Sequence, residues 1–157
     1  FPDPNNASAL NNAFQRCKDP MIRSGLILSG ANSSWQQADP KIADEEDGIL
    51  TAYEISLMDL NNTDLVVLSA CETGLGEVQG SEGVYGLQRA FKIAGVKNII
   101  MSLWQVPDKQ TAELMELFYK NWLIEKMSTR AALASAQKTM RDKKLEPYYW
   151  AGFVLME

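Results

Sequence analysis

The chain has 157 residues, 46% of them hydrophobic and 22% charged, and carries a net charge of −5. That length suits one domain with a sizeable core, and the acidic balance argues against a nucleic-acid surface, which needs clustered Lys and Arg where this chain offers only the dipeptide Lys143-Lys144. No run approaches the roughly 18–20 apolar residues of a membrane helix and no signal peptide is visible, although a chain that starts at Phe1 leaves any targeting segment open.

Residues 5–17 suit a short helix, with Leu10, Phe14 and Cys17 on one face, so Cys17 reads as a core residue. Gly25 to Gly30 is a short apolar run between glycines and predicts a buried strand. The polar stretch from Ala31 to Gly48 predicts an exposed loop. Its acidic run Asp44 to Asp47 lacks the alternating ligands and terminal Glu of a calcium loop. One or two helical turns follow over Thr51–Met58. Leu65 to Ala70 predicts a second buried strand, followed by glycine-rich sequence from Cys71 to Gly83.

A helix fits residues 83–94, with Val84, Leu87, Phe91 and Ala94 on one face and Gly95 as its stop. Asn98 to Trp104 predicts a third strand. Pro107-Asp108 opens a helix to about residue 125 with Leu114, Leu117, Phe118 and Trp122 on its apolar face. Ser128 can cap a further helix to about Lys143, carrying Leu133, Ala136 and Met140, and Gly152 to Met156 predicts a closing strand. Apolar strands alternating with amphipathic helices predict an α/β fold, a mostly parallel sheet with helices on both faces. Chemistry in such sheets gathers where strands end, which singles out the loop at Cys71 and the loop from Ser102 to Asp108.

Two cysteines make no disulfide framework and have no zinc-ligand spacing, so a reducing, cytoplasmic setting is expected. There is no histidine at all, which removes every Cys-His or Ser-His mechanism from this chain alone and the commonest transition-metal ligand. In Ser69-Ala70-Cys71-Glu72-Thr73-Gly74-Leu75-Gly76-Glu77, the cysteine stands where a buried strand ends, the placement a thiolate nucleophile needs. The glycines after it let backbone N–H groups approach a substrate carbonyl. On these residues alone, a small buried cysteine followed by turn glycines is the better reading. Nucleotide-binding and phosphatase readings fail on spacing. No Lys-Ser/Thr follows the glycines, the third glycine of a dinucleotide loop is missing, and Glu77 stands where a phosphatase would need Arg.

Several blocks together resemble the CHAT family of caspase-like peptidases. They are Asp47-Gly48-Ile49-Leu50-Thr51-Ala52-x-Glu54-Ile55, Leu65 to Gly76, Glu82-Gly83-Val84-x-Gly86-Leu87, Arg89-Ala90-Phe91, Met101-Ser102-Leu103-Trp104-x-Val106-Pro107-Asp108, and Pro147-Tyr148-Tyr149-Trp150-Ala151-x-Phe153. The resemblance runs in order from about residue 20 to the end. It implies a caspase-like fold whose C-terminal part this chain supplies, with residues 1–157 belonging to a single domain that lacks its His-bearing N-terminal strands. It further implies that Cys71 is the nucleophile and, through its backbone N–H, one oxyanion donor.

The family histidine sits in an Ala-Thr-His-Gly-like segment, and Phe1-Pro2-Asp3-Pro4 resembles the residues just after it. Truncation, cleavage near that histidine, or its loss from this member are the three accounts, and the intact downstream blocks favour the first two. Loss of one oxyanion donor costs about 3–4 kcal/mol in other proteases, so the isolated chain is expected to be nearly inert. The resemblance also gives Ser102, Leu103 and Trp104 the role of pairing with the substrate backbone as an added strand; a core role for Trp104 is the competing reading. Glu72 and Asp108 would make the pocket acidic and favour a basic P1 residue. The implied partners are a protein or peptide substrate, the missing N-terminal half of the domain and a tetratricopeptide-repeat region, with no cofactor, metal, nucleic acid or membrane. The alternative is a non-catalytic interaction module of the same fold.

Overall fold

The structure, a computed structural model, describes residues 20–29, 48–68 and 83–157. The chain divides into two units, Phe1–Leu60 with Gln79–Gly95, and Asn61–Val78 with Val96–Glu157.

In the first unit a helical turn α1 (Pro20–Arg23) leads into strand β1 (Gly25–Ile27), which pairs antiparallel with β2 (Ile49–Thr51). The register sets Gly25 opposite Thr51, Leu26 opposite Leu50 and Ile27 opposite Ile49. Hydrogen bonds from the Leu28 N–H to the Gly48 carbonyl and from the Ala52 N–H to the Ser24 carbonyl, both 2.7 Å, extend the pairing at each end. Gly48 enters β2 at φ 74°, a conformation that glycine adopts without steric cost.

Helix α2 (Ala52–Ser56) starts directly from β2 because Thr51 and Glu54 form a capping box. The Thr51 hydroxyl accepts from the Glu54 N–H at 3.2 Å, and the Glu54 carboxylate accepts from the Thr51 N–H at 2.7 Å. Ala52 and Ile55 are fully buried, and α2 packs on α3 (Gly83–Ile93). Leu87, Phe91 and Ala94 of the predicted apolar face are buried, together with Ala90, while the fourth predicted residue, Val84, lies outside the described side chains. Gly95, at φ 100°, ends it.

The second unit has a three-stranded sheet in the order β3 (Leu65–Leu68), β4 (Asn98–Ser102), β5 (Phe153–Met156). β3 and β4 are parallel, whereas β4 and β5 are antiparallel, with Ser102 opposite Phe153. The sequence predicts a mostly parallel sheet; here the described strands form two small sheets with two antiparallel pairings. Between β4 and β5 the chain runs through two helices, α4 (Asp108–Tyr119) and α5 (Thr129–Asp142), and it re-enters the sheet antiparallel to β4.

Leu65, Val67, Ile100, Phe153 and Leu155 share one sheet face, and against it pack Leu114 and Phe118 from α4 and Ala132, Leu133, Ala136 and Met140 from α5. Phe118, Leu114 and Met140 have no exposed surface, and Leu117 and Trp122 join them at the margin. α4 continues as a wider π-helical turn over Lys120–Ile124. Ser128 caps α5 as predicted, its hydroxyl accepting from the Ala131 N–H at 3.3 Å.

The Gly25–Gly30 run departs from its sequence reading. β1 is only three residues long, and Ile27 and Leu28 are exposed rather than buried.

Candidate functional site

β3 and β4 run parallel and in register, with Leu68 opposite Met101, so they end at the same edge of the sheet. In the sequence, only Ser69 and Ala70 separate Leu68 from Cys71. Cys71 and Glu72 lie outside the described residues, as does Cys17.

The other predicted site residues are described. Ser102 is the last residue of β4 and is buried. The predicted strand runs on to Trp104, but the regular ladder stops at Ser102. Beyond it one further bond, from the Leu103 N–H to the Gly152 carbonyl at 2.7 Å, ties the chain to the start of β5. Leu103 is exposed, and Trp104 is half-buried against the core.

The indole of Trp104 is held from several sides. Its Nε1–H donates to the Tyr148 carbonyl at 2.9 Å, and its ring stacks on the Tyr148 ring with centroids 6.3 Å apart and an 18° interplanar angle. The Tyr148 hydroxyl donates to the Gln105 carbonyl at 2.5 Å. Gly152 lies so close that a Cβ there would stand 2.9 Å from Trp104 Cε2 and 3.0 Å from Val106 Cγ2.

The segment that does this holding is itself fixed. Pro147–Tyr149 forms a 3₁₀ turn, and the Gln137 side-chain amide on α5 donates to the Trp150 carbonyl at 3.1 Å and the Phe153 carbonyl at 2.9 Å. The Trp150 Nε1–H donates to the Leu145 carbonyl at 3.0 Å.

Asp108 opens α4 and is exposed, where a carboxylate also complements the positive end of the helix dipole. The N–H groups of Gln110 and Thr111 both reach the Pro107 carbonyl at 3.0 Å. The structure therefore brings Ser102, Leu103, Trp104 and Asp108 onto one strand end and the helix that follows it.

Sequence reasoning missed Tyr148, Gly152 and Gln137 as the residues that shape this strand end. The signal available was the Pro147-Tyr148-Tyr149-Trp150-Ala151-x-Phe153 block, whose aromatic density has no explanation in strand or helix periodicity. Among the described residues no group of three or more His, Cys, Asp or Glu could hold a metal ion, and no helix is long and apolar enough to cross a membrane.

The sequence model of one family, the CHAT domain, matches residues 8–157. The chain belongs to the CHAT domain family. This CHAT domain is also 34% identical over 111 residues to tetratricopeptide repeat protein 28 of Mus musculus, and 34% identical over 110 residues to the protein of the same name in Homo sapiens. Each match covers 69% of this chain but 4% of the relative, so the chain spans a small fraction of the length of these curated relatives.

Proposed function

We propose that this CHAT domain is the nucleophile-bearing part of a caspase-like cysteine endopeptidase domain, with Cys71 as the nucleophile. The observation that carries the reading is the parallel, in-register ending of β3 and β4. It sets the Ser102–Trp104 strand end beside the strand that leads, three residues later in sequence, to Cys71. Parallel sheets present chemistry at such shared strand ends.

With no histidine in its 157 residues, the chain takes its imidazole from another segment of the complete domain. The imidazole removes the thiol proton, and the Cys71 thiolate attacks the scissile carbonyl. The proton passes to the leaving amine as the peptide bond breaks, and water then hydrolyses the thioester. The Cys71 backbone N–H serves as one oxyanion donor. The substrate backbone lies along Ser102, Leu103 and Trp104, and Glu72 and Asp108 favour a basic P1 residue. The names of the relatives support association with a tetratricopeptide-repeat region. A cytoplasmic setting follows from the two cysteines and is tested by fractionation.

The test is peptide cleavage by the full domain, with the upstream segment included, against P1-Arg, P1-Leu and P1-Asp substrates. Cleavage should favour P1-Arg and fall at least a thousandfold in Cys71→Ala. Cleavage that survives Cys71→Ala overturns the nucleophile assignment, and equal rates on all three substrates overturn the acidic pocket.

The complete absence of histidine also supports a second reading, a non-catalytic interaction module of the same fold. Iodoacetamide separates the two. An activated Cys71 alkylates faster at neutral pH than a free model thiol, and a Cys71 kept only for structure does not.

A further inference from the structure

The segment Pro147–Gly152 does more than lead into β5. It meets Leu103–Gln105 at main chain and side chain alike, through groups 43 or more positions distant in sequence. The Gly152 carbonyl accepts from the Leu103 N–H, the Tyr148 carbonyl accepts from the Trp104 indole N–H, and the Tyr148 hydroxyl donates to the Gln105 carbonyl. The Tyr148 ring covers the indole, and Gly152 leaves room for that indole and no more. The base of the clamp is anchored by the two bonds from Gln137 and the one from Trp150 to Leu145.

Such an arrangement costs chain entropy, since three residues past the end of a strand are held in one conformation. Core packing alone does not demand it. Tyr148 is about half exposed, so its ring contributes little to the buried core, yet apart from an edge-on contact with its neighbour Tyr149 its polar and aromatic contacts point at this one strand end. A strand end kept rigid binds an extended peptide without the ordering cost that a mobile one would incur.

We infer that Tyr148 is a positioning residue for peptide binding: with Gly152 it fixes the Leu103–Gln105 backbone in the conformation that receives the substrate strand. This rests on the reading of Ser102–Trp104 given under Proposed function. The substrate class is an extended peptide recognised through its main chain.

The test uses the full domain and two independent readouts. Tyr148→Phe keeps the ring and the backbone carbonyl and removes only the bond to Gln105, while Tyr148→Ala also removes the stack. KM for a peptide substrate should rise roughly three- to tenfold in Tyr148→Phe and further in Tyr148→Ala, with kcat within about twofold, as loss of one hydrogen bond implies. Amide exchange at residues 103–105 should quicken by a similar factor while exchange in α5 stays unchanged. The Trp104 indole N–H resonance, assigned by Trp104→Phe, should move in both variants.

If exchange at residues 103–105 and the indole resonance are the same in all three proteins, the clamp is overturned. If they change but KM does not, the clamp is only structural and the positioning role is overturned. If the unaltered domain cleaves no peptide, the peptidase reading has failed, and exchange and the indole resonance alone decide the clamp.

Discussion

Among the described residues, two glycines sit where a Cβ has no room, and the obstacles differ in kind. At Gly25 the nearest atoms are main chain: a Cβ would stand 2.7 Å from the Leu50 oxygen and 3.0 Å from the Thr51 Cα across the β1–β2 pair. At Gly152 they are side chain: Trp104 Cε2 at 2.9 Å, and Trp104 Nε1 and Val106 Cγ2 at 3.0 Å. A backbone held in a ladder cannot step aside, whereas an indole at the surface of a core can. The first unit is thus organised by short-range backbone devices, among them the Gly48 turn and the Thr51–Glu54 capping box. The second is organised by side chains meeting across long stretches of sequence.

The largest effect should come from emptying the side-chain core of the second unit. Phe118 is fully buried, stacks on Trp122 at 5.8 Å and meets Tyr119 edge-on at 5.1 Å. Phe118→Ala should cost about 3–5 kcal/mol in denaturant unfolding. A loss below about 1 kcal/mol would show that packing across α4, α5 and the sheet is not what holds this unit.

The two glycines come next and test the comparison directly. Gly25→Ala should cost about 2–3 kcal/mol, and Gly152→Ala about 1–2 kcal/mol, because only the second clash can relax. The sharper measurement is a double-mutant cycle. Trp104→Phe removes the indole atoms that block position 152, so the two substitutions should couple. Leu50→Ala leaves the Leu50 oxygen in place and should give no coupling with Gly25→Ala. Equal coupling in both pairs would erase the distinction between a main-chain and a side-chain obstacle.

That distinction also governs what could be read from the sequence. The helices were legible, since their stripes and stops are local: Leu87, Phe91 and Ala94 before Gly95, and Ser128 ahead of Leu133, Ala136 and Met140. The direction of β5 was not legible, because strand hydrophobicity alone favours a parallel sheet. Nor was the exposure of Ile27 and Leu28, since an apolar run states only that burial would be favourable and not that anything covers it. At the candidate site, Ser102 and Trp104 stood out as residues, but the grip of Tyr148 on Trp104 joins positions 44 apart, and no periodicity reports such a contact. The strand end was therefore visible in the sequence, while the clamp that shapes it was not.

The smallest effect should come from the capping box, and it probes the first unit where that unit is most local. Thr51→Ala removes the hydroxyl that accepts from the Glu54 N–H and leaves the Glu54 carboxylate with the Thr51 N–H alone. The expected cost is about 1 kcal/mol, largely restored by Thr51→Ser, which returns the oxygen without the methyl group. Amide exchange should quicken at Glu54 and its neighbours in α2 and leave the β1–β2 ladder protected, because that pairing runs through main-chain groups the substitution does not touch. Were the ladder to open along with the helix, β2 and α2 would form one cooperative element, and the Thr51 hydroxyl would be holding the strand pair as well as the helix it caps.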